Sequence, residues 1–206
     1  EVDLNKFAGM DCYTGVDLAA TSDLTAVAYL VVQDGTYYFK THYYLPESAL
    51  KDKADKELYK YWKQQGYLTV TSGNVTDYDY ITADMLRYAD VVNIQSVGYD
   101  KYNATQWAID STEQGLPLEE YPQTLGNFNM PTRELERLIL SGKAVIDNNE
   151  INRYCFRNVT LKSDYNGNVK PNKAVDKKKI DGTIAMIQAL GMYLRTPHYT
   201  NEILTI

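Results

Sequence analysis

The sequence predicts an α/β domain built on a mixed sheet, in which three antiparallel strands are followed by parallel strands and helices cover both faces. Two observations predict this class. The segment from Cys12 to Leu45 is rich in Val, Tyr and Thr broken by turn signals, and the rest of the chain alternates short apolar segments with amphipathic ones. The chain has 206 residues, of which 44% are hydrophobic, so it can form one domain with a sizeable core.

The strands follow from runs of β-branched and aromatic residues. Asp34-Gly35 predicts a two-residue hairpin turn between the second and third strands, because glycine tolerates the positive φ that such a turn requires. The longest apolar run, Ala26 to Val32, has the length of a strand, which argues against a membrane span. The predicted strands are Cys12–Leu18, Thr25–Gln33, Tyr37–Leu45, Ile94–Tyr99 and Leu118–Tyr121.

Apolar residues at helical spacing predict the helices. Gly66 and Gly115 stand where two of them should end, Asn103 is an expected N-cap, and Pro131 suits a first helical turn. Asn-Gly inside Lys162–Asn168 predicts a hairpin or loop. The predicted helices are Glu47 to Gln65, Tyr78–Val92, Ala104 to Gln114, Pro131 to Ser141, Asn148 to Asn158 and Asp176 to Leu194. This order of strands and helices is also the order found in ribonuclease H-like domains.

The composition limits how the chain could meet nucleic acid. A net charge of −6 argues against a protein that coats nucleic acid through bulk positive charge, but it leaves open a local basic patch. Six lysines fall within eighteen residues, and they either contact phosphates or form the solvated edge of a helix start. They are Lys162, Lys170, Lys173, Lys177, Lys178 and Lys179. The two cysteines, Cys12 and Cys155, are expected to be reduced core thiols.

Three carboxylates stand at positions where a charge is unexpected. Asp17 ends the first strand, Asp100 follows the strand Ile94–Tyr99, and Asp181 lies near the start of the last helix. A charge at a core boundary is costly unless it is paired or bound to a metal, so the three are expected to converge. Each acid alone also fits a turn or a first helical turn. Asp23 is either a fourth ligand or a turn residue.

Convergent carboxylates suit Mg²⁺ or Mn²⁺, which prefer oxygen ligands. Two such ions, roughly 3.5–4 Å apart, can activate a water and stabilise the leaving oxygen in an in-line attack on a phosphodiester. Only His42 and His198 exist in the sequence, so a histidine-rich zinc site is not available. The predicted site is a two-ion centre for phosphodiester hydrolysis.

Several blocks of the sequence, in the same order, resemble the nuclease domain of tailed-phage terminase large subunits. They include Gly15-Val16-Asp17, Val97-Gly98-Tyr99-Asp100 and Lys179-Ile180-Asp181-Gly182, and the last of these resembles the family's final acidic motif. Together the blocks cover about residues 12 to 195. One departure is the acidic stretch from Ala144 to Glu150, where a His-Gly-rich turn is frequent in the family.

The resemblance implies a ribonuclease H-like fold and a metal-dependent endonuclease that cuts concatemeric double-stranded viral DNA during genome packaging. By position, Asp17, Asp100 and Asp181 would be the catalytic residues that bind Mg²⁺ or Mn²⁺. The implied partners are double-stranded DNA and, for a full-length terminase, the small subunit and the portal protein in the cytoplasm of a bacterial host. Residues 1–206 are expected to be a single nuclease domain without the N-terminal ATPase motor, because no Gly-x-x-x-x-Gly-Lys-Ser/Thr loop occurs.

Other classes compete with this interpretation. A Holliday-junction resolvase or another ribonuclease H-like nuclease would use the same acids on different DNA. A catalytically inactive packaging module would dock on the portal or small subunit without cutting. An actin-like or sugar-kinase fragment is disfavoured, because Ala19-Ala20-Thr21-Ser22 has no glycine to grip a phosphate.

Overall fold

A computed structural model of the protein describes residues 1–19, 23–52, 54–102, 104–175 and 178–197. These ranges contain nine strands and seven α-helices, and a short 3-10 turn, Leu4–Phe7, precedes the first strand. The strands are β1 (Asp11–Asp17), β2 (Thr25–Gln33), β3 (Thr36–Pro46), β4 (Thr69–Thr71), β5 (Asn93–Tyr99), β6 (Leu118–Glu120), β7 (Ala144–Ile146), β8 (Val159–Ser163) and β9 (Val169–Lys173). The helices are α1 (Ala49–Asp52), α2 (Lys56–Gln64), α3 (Tyr78–Ala89), α4 (Thr105–Glu113), α5 (Leu125–Leu140), α6 (Glu150–Arg157) and α7 (Asp181–Arg195).

Seven of these strands form one mixed sheet in the order β4-β3-β2-β1-β5-β6, with β7 also beside β3. The first three strands pair antiparallel, whereas β5 runs parallel to β1 and β6 parallel to β5. The outer edge of β3 carries β7 along Tyr37 to Phe39 and β4 along Tyr44 to Pro46. The remaining strands, β8 and β9, form a separate antiparallel hairpin. The predicted mixed sheet of antiparallel and then parallel strands is therefore confirmed.

Helices cover both faces of the sheet. Tyr13 of β1 belongs to a core that includes side chains of α2, α5 and α7, whereas Cys12 and Val16 of the same strand belong to the opposite core with α3 and α4. This alternation is the period of two that a strand imposes on its side chains. Cys12 and Cys155 are both buried and free, as predicted. No helix in the described ranges combines the length and the apolar character that crossing a membrane requires.

The hairpin turn and the first strands agree with the prediction. The observed β2 has the predicted bounds, and Asp34 and Gly35 both have positive φ, at 50° and 72°. The segment from Glu47 to Gln65 forms two helices, α1 and α2, instead of one. The three-residue strands β4 and β7 were not predicted, because their position depends on pairing with β3 and not on a local pattern.

The prediction that Pro131 begins a helix is wrong. The helix α5 begins at Leu125, where Thr124 accepts a hydrogen bond from the Asn127 amide as the N-cap. Pro131 lies inside the helix and has no N–H to donate to the Asn127 carbonyl four residues earlier. The Tyr121 hydroxyl donates to that carbonyl instead, at 2.7 Å. A tertiary contact therefore makes an internal proline tolerable.

The last helix begins later than predicted. It starts at Asp181, and Lys178 to Ile180 precede it without helical structure. The side chain of Lys179 is tied to Asp23 in an ion pair, which holds this segment against the start of β2. The predicted start at Asp176 and the predicted N-cap Asn103 lie outside the described residues.

Two glycines allow α7 to lie close to the sheet. Gly15 of β1 and Gly98 of β5 are paired in register. A Cβ at Gly15 would lie 2.1 Å from the Ala185 carbonyl oxygen and 2.5 Å from the Ala189 nitrogen, both backbone atoms of α7. A Cβ at Gly98 would meet the side chain of Met192, also on α7. The helix therefore occupies the space that side chains at these two strand positions would fill.

We expect Gly15→Ala to destabilise the protein by about 3 kcal/mol or more. The new methyl group would overlap backbone atoms of α7, which cannot move aside as the end of a flexible side chain can. Urea denaturation would measure the change. The matched control is Gly126→Ala in α5, where no heavy atom lies within 4 Å of the added Cβ. That control should be neutral or slightly stabilising. Equal stability of the two variants would contradict the close approach of α7.

Candidate metal centre

Asp17 and Asp100 leave neighbouring parallel strands at the same edge of the sheet. Val16 lies opposite Tyr99 in the register of β1 and β5, so the residue that follows each of them lies at the same level. Gly15 and Gly98, two residues earlier, both face α7. Because strand residues alternate between faces, both aspartates are directed toward the side of the sheet on which α7 packs.

Asp181 approaches the same edge from the helix. It is the first residue of α7, which packs along β1. Its Oδ2 atom is buried and has no hydrogen-bond partner. A buried carboxylate oxygen without a partner costs free energy, so this atom is a point at which a cation would be stabilising.

Burial and neighbouring acids raise the pKa of two of these carboxylates, Asp17 and Asp181. Burial, followed by repulsion from Asp181, raises the pKa of Asp17 well above its usual range, and Asp100 adds to this effect. Burial and the neighbouring Asp23 raise the pKa of Asp181 to about 6. All three residues keep part of their surface exposed, although the Oδ2 atom of Asp181 is buried. The structure thus brings Asp17, Asp100 and Asp181 to one edge of the sheet, where the charges of Asp181 and Asp100 act on Asp17.

These observations do not amount to an assembled metal site. Within the described part of the chain, no group of three or more His, Cys, Asp or Glu side chains is arranged to hold a metal ion. The ligand roles of Asp17, Asp100 and Asp181 therefore stay predictions. Their all-oxygen chemistry and the unpartnered Asp181 oxygen fit a hard divalent cation.

Asp23 has partners of its own. It forms an ion pair with Lys179, and its Oδ1 accepts a hydrogen bond from the Leu24 amide at 3.0 Å. Burial alone would raise the pKa of Asp23, but Lys179 and the Leu24 amide together lower it. Asp23 thus has the contacts of a turn residue, while its charge still acts on Asp181.

Two of the clustered lysines face the acids. Lys173, at the end of β9, lowers the pKa of both Asp17 and Asp181 through its positive charge, against the larger effect of burial. Lys170 donates to the backbone carbonyl of Gln123 and lies 5.4 Å from the centre of the Phe128 ring. The hairpin of β8 and β9 therefore delivers positive charge to the sheet edge that carries the carboxylates.

Gln123 is a site residue that the sequence pattern did not reveal. Its side-chain amide donates to Asp17 Oδ1 at 3.4 Å, and its own carbonyl accepts from Lys170. It lies in the loop after β6, where no periodicity or charge distinguishes it. Only the order of the strands, which places β6 two positions from β1, brings it near Asp17.

The other clustered lysines differ in their surroundings. Lys162 is exposed and lies directly opposite Lys170 in the hairpin. Lys178 lies 5.6 Å from the centre of the Tyr154 ring, and Lys179 is paired with Asp23. Lys177 lies outside the described residues. Lys162 and Lys170 thus form a cross-strand pair on the hairpin, and Lys162 is the more exposed of the two.

A family model described as "Terminase large subunit, endonuclease domain" matches residues 1–196. The chain belongs to this family. Among curated relatives, the terminase large subunit of Enterobacteria phage HK97 is 29% identical over 184 residues, covering 87% of this chain and 36% of that protein. Protein YmfN of Escherichia coli K12 is 32% identical over 206 residues, covering 91% of this chain and 44% of YmfN. The terminase endonuclease domain thus spans less than half the length of these relatives.

Solved structures confirm the ribonuclease H-like fold of this terminase domain. The crystal structure of the HK97 large terminase has a TM-score of 0.80 at 28% identity, covering 88% of this chain and 39% of that one. The large terminase nuclease of thermophilic phage G20c has a TM-score of 0.60 at 12% identity, covering 91% of this chain and 83% of that one. The G20c nuclease also has a crystal structure with bound magnesium.

The raised pKa of Asp181 predicts how stability depends on pH. The unfolded chain loses this proton near pH 4, whereas the folded chain holds it to about pH 6, so ionisation costs stability as pH rises through this window. In buffer with EDTA, Asp181→Asn should therefore gain stability relative to the parent protein between about pH 4 and pH 7. Thermal unfolding across this range would measure the difference.

The matched control for this experiment is Asp79→Asn, at the exposed start of α3. It tests whether removing any carboxylate gives the same curve. A parallel gain in both variants would contradict the raised pKa of Asp181.

Proposed function

We propose that this terminase endonuclease domain hydrolyses phosphodiester bonds of double-stranded DNA with Mg²⁺ or Mn²⁺ ions, two in number, bound by Asp17, Asp100 and Asp181. The observation that carries this proposal is that acids from two parallel strands and a facing helix lie at one edge of the sheet, with one buried oxygen of Asp181 unpartnered. Repulsion from Asp181, which after burial contributes to the raised pKa of Asp17, supports it, because neighbouring carboxylates are stabilised by a shared cation.

The chain's own residues have separate tasks in this proposal. Asp17 and Asp100 hold ions at the sheet edge, and Asp181 completes the ligand set from the helix. Gln123 orients the Asp17 carboxylate through its side-chain amide. Lys173 offsets part of the negative charge, so a phosphate can approach. When bound, the ions would supply an activated water and stabilise the leaving oxygen.

The hairpin of β8 and β9 is the proposed contact surface for the DNA backbone. Lys162 and Lys170 are direct cross-strand neighbours, so their side chains share one face of the hairpin. Burial lowers the pKa of Lys170, while the negative charges of Asp100 and Asp17 act in the opposite direction, which supports a position of this face near the carboxylates. A local basic surface of this kind lets a chain with a net charge of −6 hold phosphates without reading sequence.

The biological role follows from the family. We infer that the domain cuts concatemeric viral DNA during genome packaging in a bacterial host's cytoplasm, with the small subunit and the portal protein as partners of the whole terminase. Residues 1–206 act as a single nuclease domain in this proposal, and an ATPase motor would be contributed by a different part of a full-length terminase. The spans of 36% and 44% of the HK97 and YmfN proteins agree with this division.

Substitution of the three acids tests the proposed chemistry. Asp17→Asn, Asp100→Asn and Asp181→Asn should each lower Mn²⁺-dependent cleavage of supercoiled plasmid more than about 100-fold, because even residues one shell further from a metal cost 10–100-fold when replaced. The control Asp79→Asn should cut at the parent rate. Rates would be measured by gel electrophoresis of the nicked and linear products.

The same assay separates the competing functions. A strong preference for four-way junctions over linear duplex would favour a resolvase-like nuclease over packaging endonuclease. Cleavage that is unchanged in all three variants would contradict the proposed ligands. No cleavage with any divalent metal would favour an inactive docking module.

The hairpin surface has its own test. Lys162→Ala should weaken binding to duplex DNA and reduce the slope of log affinity against log salt by about 1, because one phosphate contact is lost. Fluorescence anisotropy in Ca²⁺ buffer would measure both quantities. The control is Lys6→Ala, an exposed lysine ahead of β1 at the opposite end of that strand from Asp17. Equal effects of the two substitutions would mean that the hairpin is not the contact surface.

A further inference from the structure

A buried polar network lies beneath the start of α7. The Tyr43 hydroxyl donates to Asn152 Oδ1 at 2.5 Å, and the Thr41 hydroxyl donates to the same oxygen at 2.8 Å. The side-chain amide of Asn152 donates to the Asp147 carbonyl at 2.9 Å. These three side chains are 1–2% exposed. Because buried polar groups are costly unless they are bonded, a network with these bonds favours one arrangement of its members.

The start of α7 has no capping side chain. Its N-cap is Ile180, which makes no side-chain hydrogen bond to the first turn. The usual device that holds the first turn of a helix is therefore missing where Asp181 must be placed. Another contact has to determine the position of this turn.

Tyr43 makes that contact. A Cβ at Gly182, the residue after Asp181, would lie 1.8 Å from the Tyr43 hydroxyl oxygen and 2.7 Å from its Cζ. The phenol ring thus fills the space of a side chain at position 182, directly against the helix backbone. Asn152 in turn holds the phenol by its hydroxyl. The chain of contacts runs from α6 through β3 to the backbone next to Asp181.

We propose that Tyr43 and Asn152 are positioning residues that hold Asp181 where it can bind an ion. The inference rests on the proposed function, since it assumes that Asp181 is a ligand. Tyr43 and Asn152 do not touch the ion or the DNA in this proposal. They act through the backbone of Gly182, against which the Tyr43 ring lies directly.

The test measures Mn²⁺ binding without DNA by isothermal titration calorimetry. Tyr43→Phe keeps the ring and removes its hydroxyl, and Asn152→Leu keeps a similar volume and removes the acceptor. Each should weaken Mn²⁺ binding about tenfold, the lower end of the effect of residues that orient a metal ligand. Cleavage assays should show a lower kcat with an unchanged KM for DNA.

The matched control is Tyr44→Phe. Tyr44 is the next residue on β3, is fully buried on the opposite face, and donates its hydroxyl to Asp84. It should lose stability in thermal unfolding as Tyr43→Phe does, but bind Mn²⁺ like the parent protein. If both tyrosine variants bind Mn²⁺ like the parent, the hydroxyl of Tyr43 is only structural and the inference is wrong.

Asp181→Asn separates this failure from a failure of the proposed function. If Asp181→Asn binds Mn²⁺ as tightly as the parent protein, the proposed ligand set itself is overturned, and the positioning role with it. If Asp181→Asn weakens binding while Tyr43→Phe and Asn152→Leu do not, only the positioning role is overturned.

Discussion

The contact between α7 and the two central strands is the constraint on which the rest of the site depends. Gly15 and Gly98 carry no side chains, so the backbone of α7 lies directly over β1 and its Met192 side chain lies over β5. At this distance, the first residue of α7 reaches the edge where both strands end. A larger residue at Gly15 would lift the helix and carry Asp181 away from Asp17. The spacing of the proposed ligands is therefore set by packing and not by the acids themselves.

Placing acids together has an electrostatic cost, which the surrounding chain reduces. Asp17 and Asp181 repel each other, while Lys173 acts on both with positive charge. Lys179 forms an ion pair with Asp23, and Lys170 donates a hydrogen bond to the Gln123 carbonyl. The hairpin thus has two consequences: it moderates the repulsion among the acids and exposes Lys162 to solvent. An acidic chain can in this way present a positive surface beside a negative centre.

Local sequence signals were reliable where the chain itself determines the conformation. The turn at Asp34-Gly35 needs positive φ, which glycine permits, and the bounds of β2 followed from an uninterrupted apolar run. They were unreliable where a contact with a residue distant in sequence determines the conformation. Proline commonly occurs in the first turn of a helix. Pro131 lies inside α5 instead, and the Tyr121 hydroxyl donates to the carbonyl that the proline leaves without a partner. The strands β4 and β7 exist because β3 has an open edge.

By itself, the sequence determined the fold class, the family resemblance and the three candidate carboxylates, because strand ends and helix starts leave patterns in neighbouring residues. The tertiary structure decided that Asp17 and Asp100 lie at one level and face α7, since register and strand order are set by pairing between distant segments. It also decided that Gln123 touches Asp17 and that Tyr43 supports the turn containing Asp181. Contacts of this kind leave no periodic pattern, because they join residues 106 positions apart in one case and more than a hundred in the other.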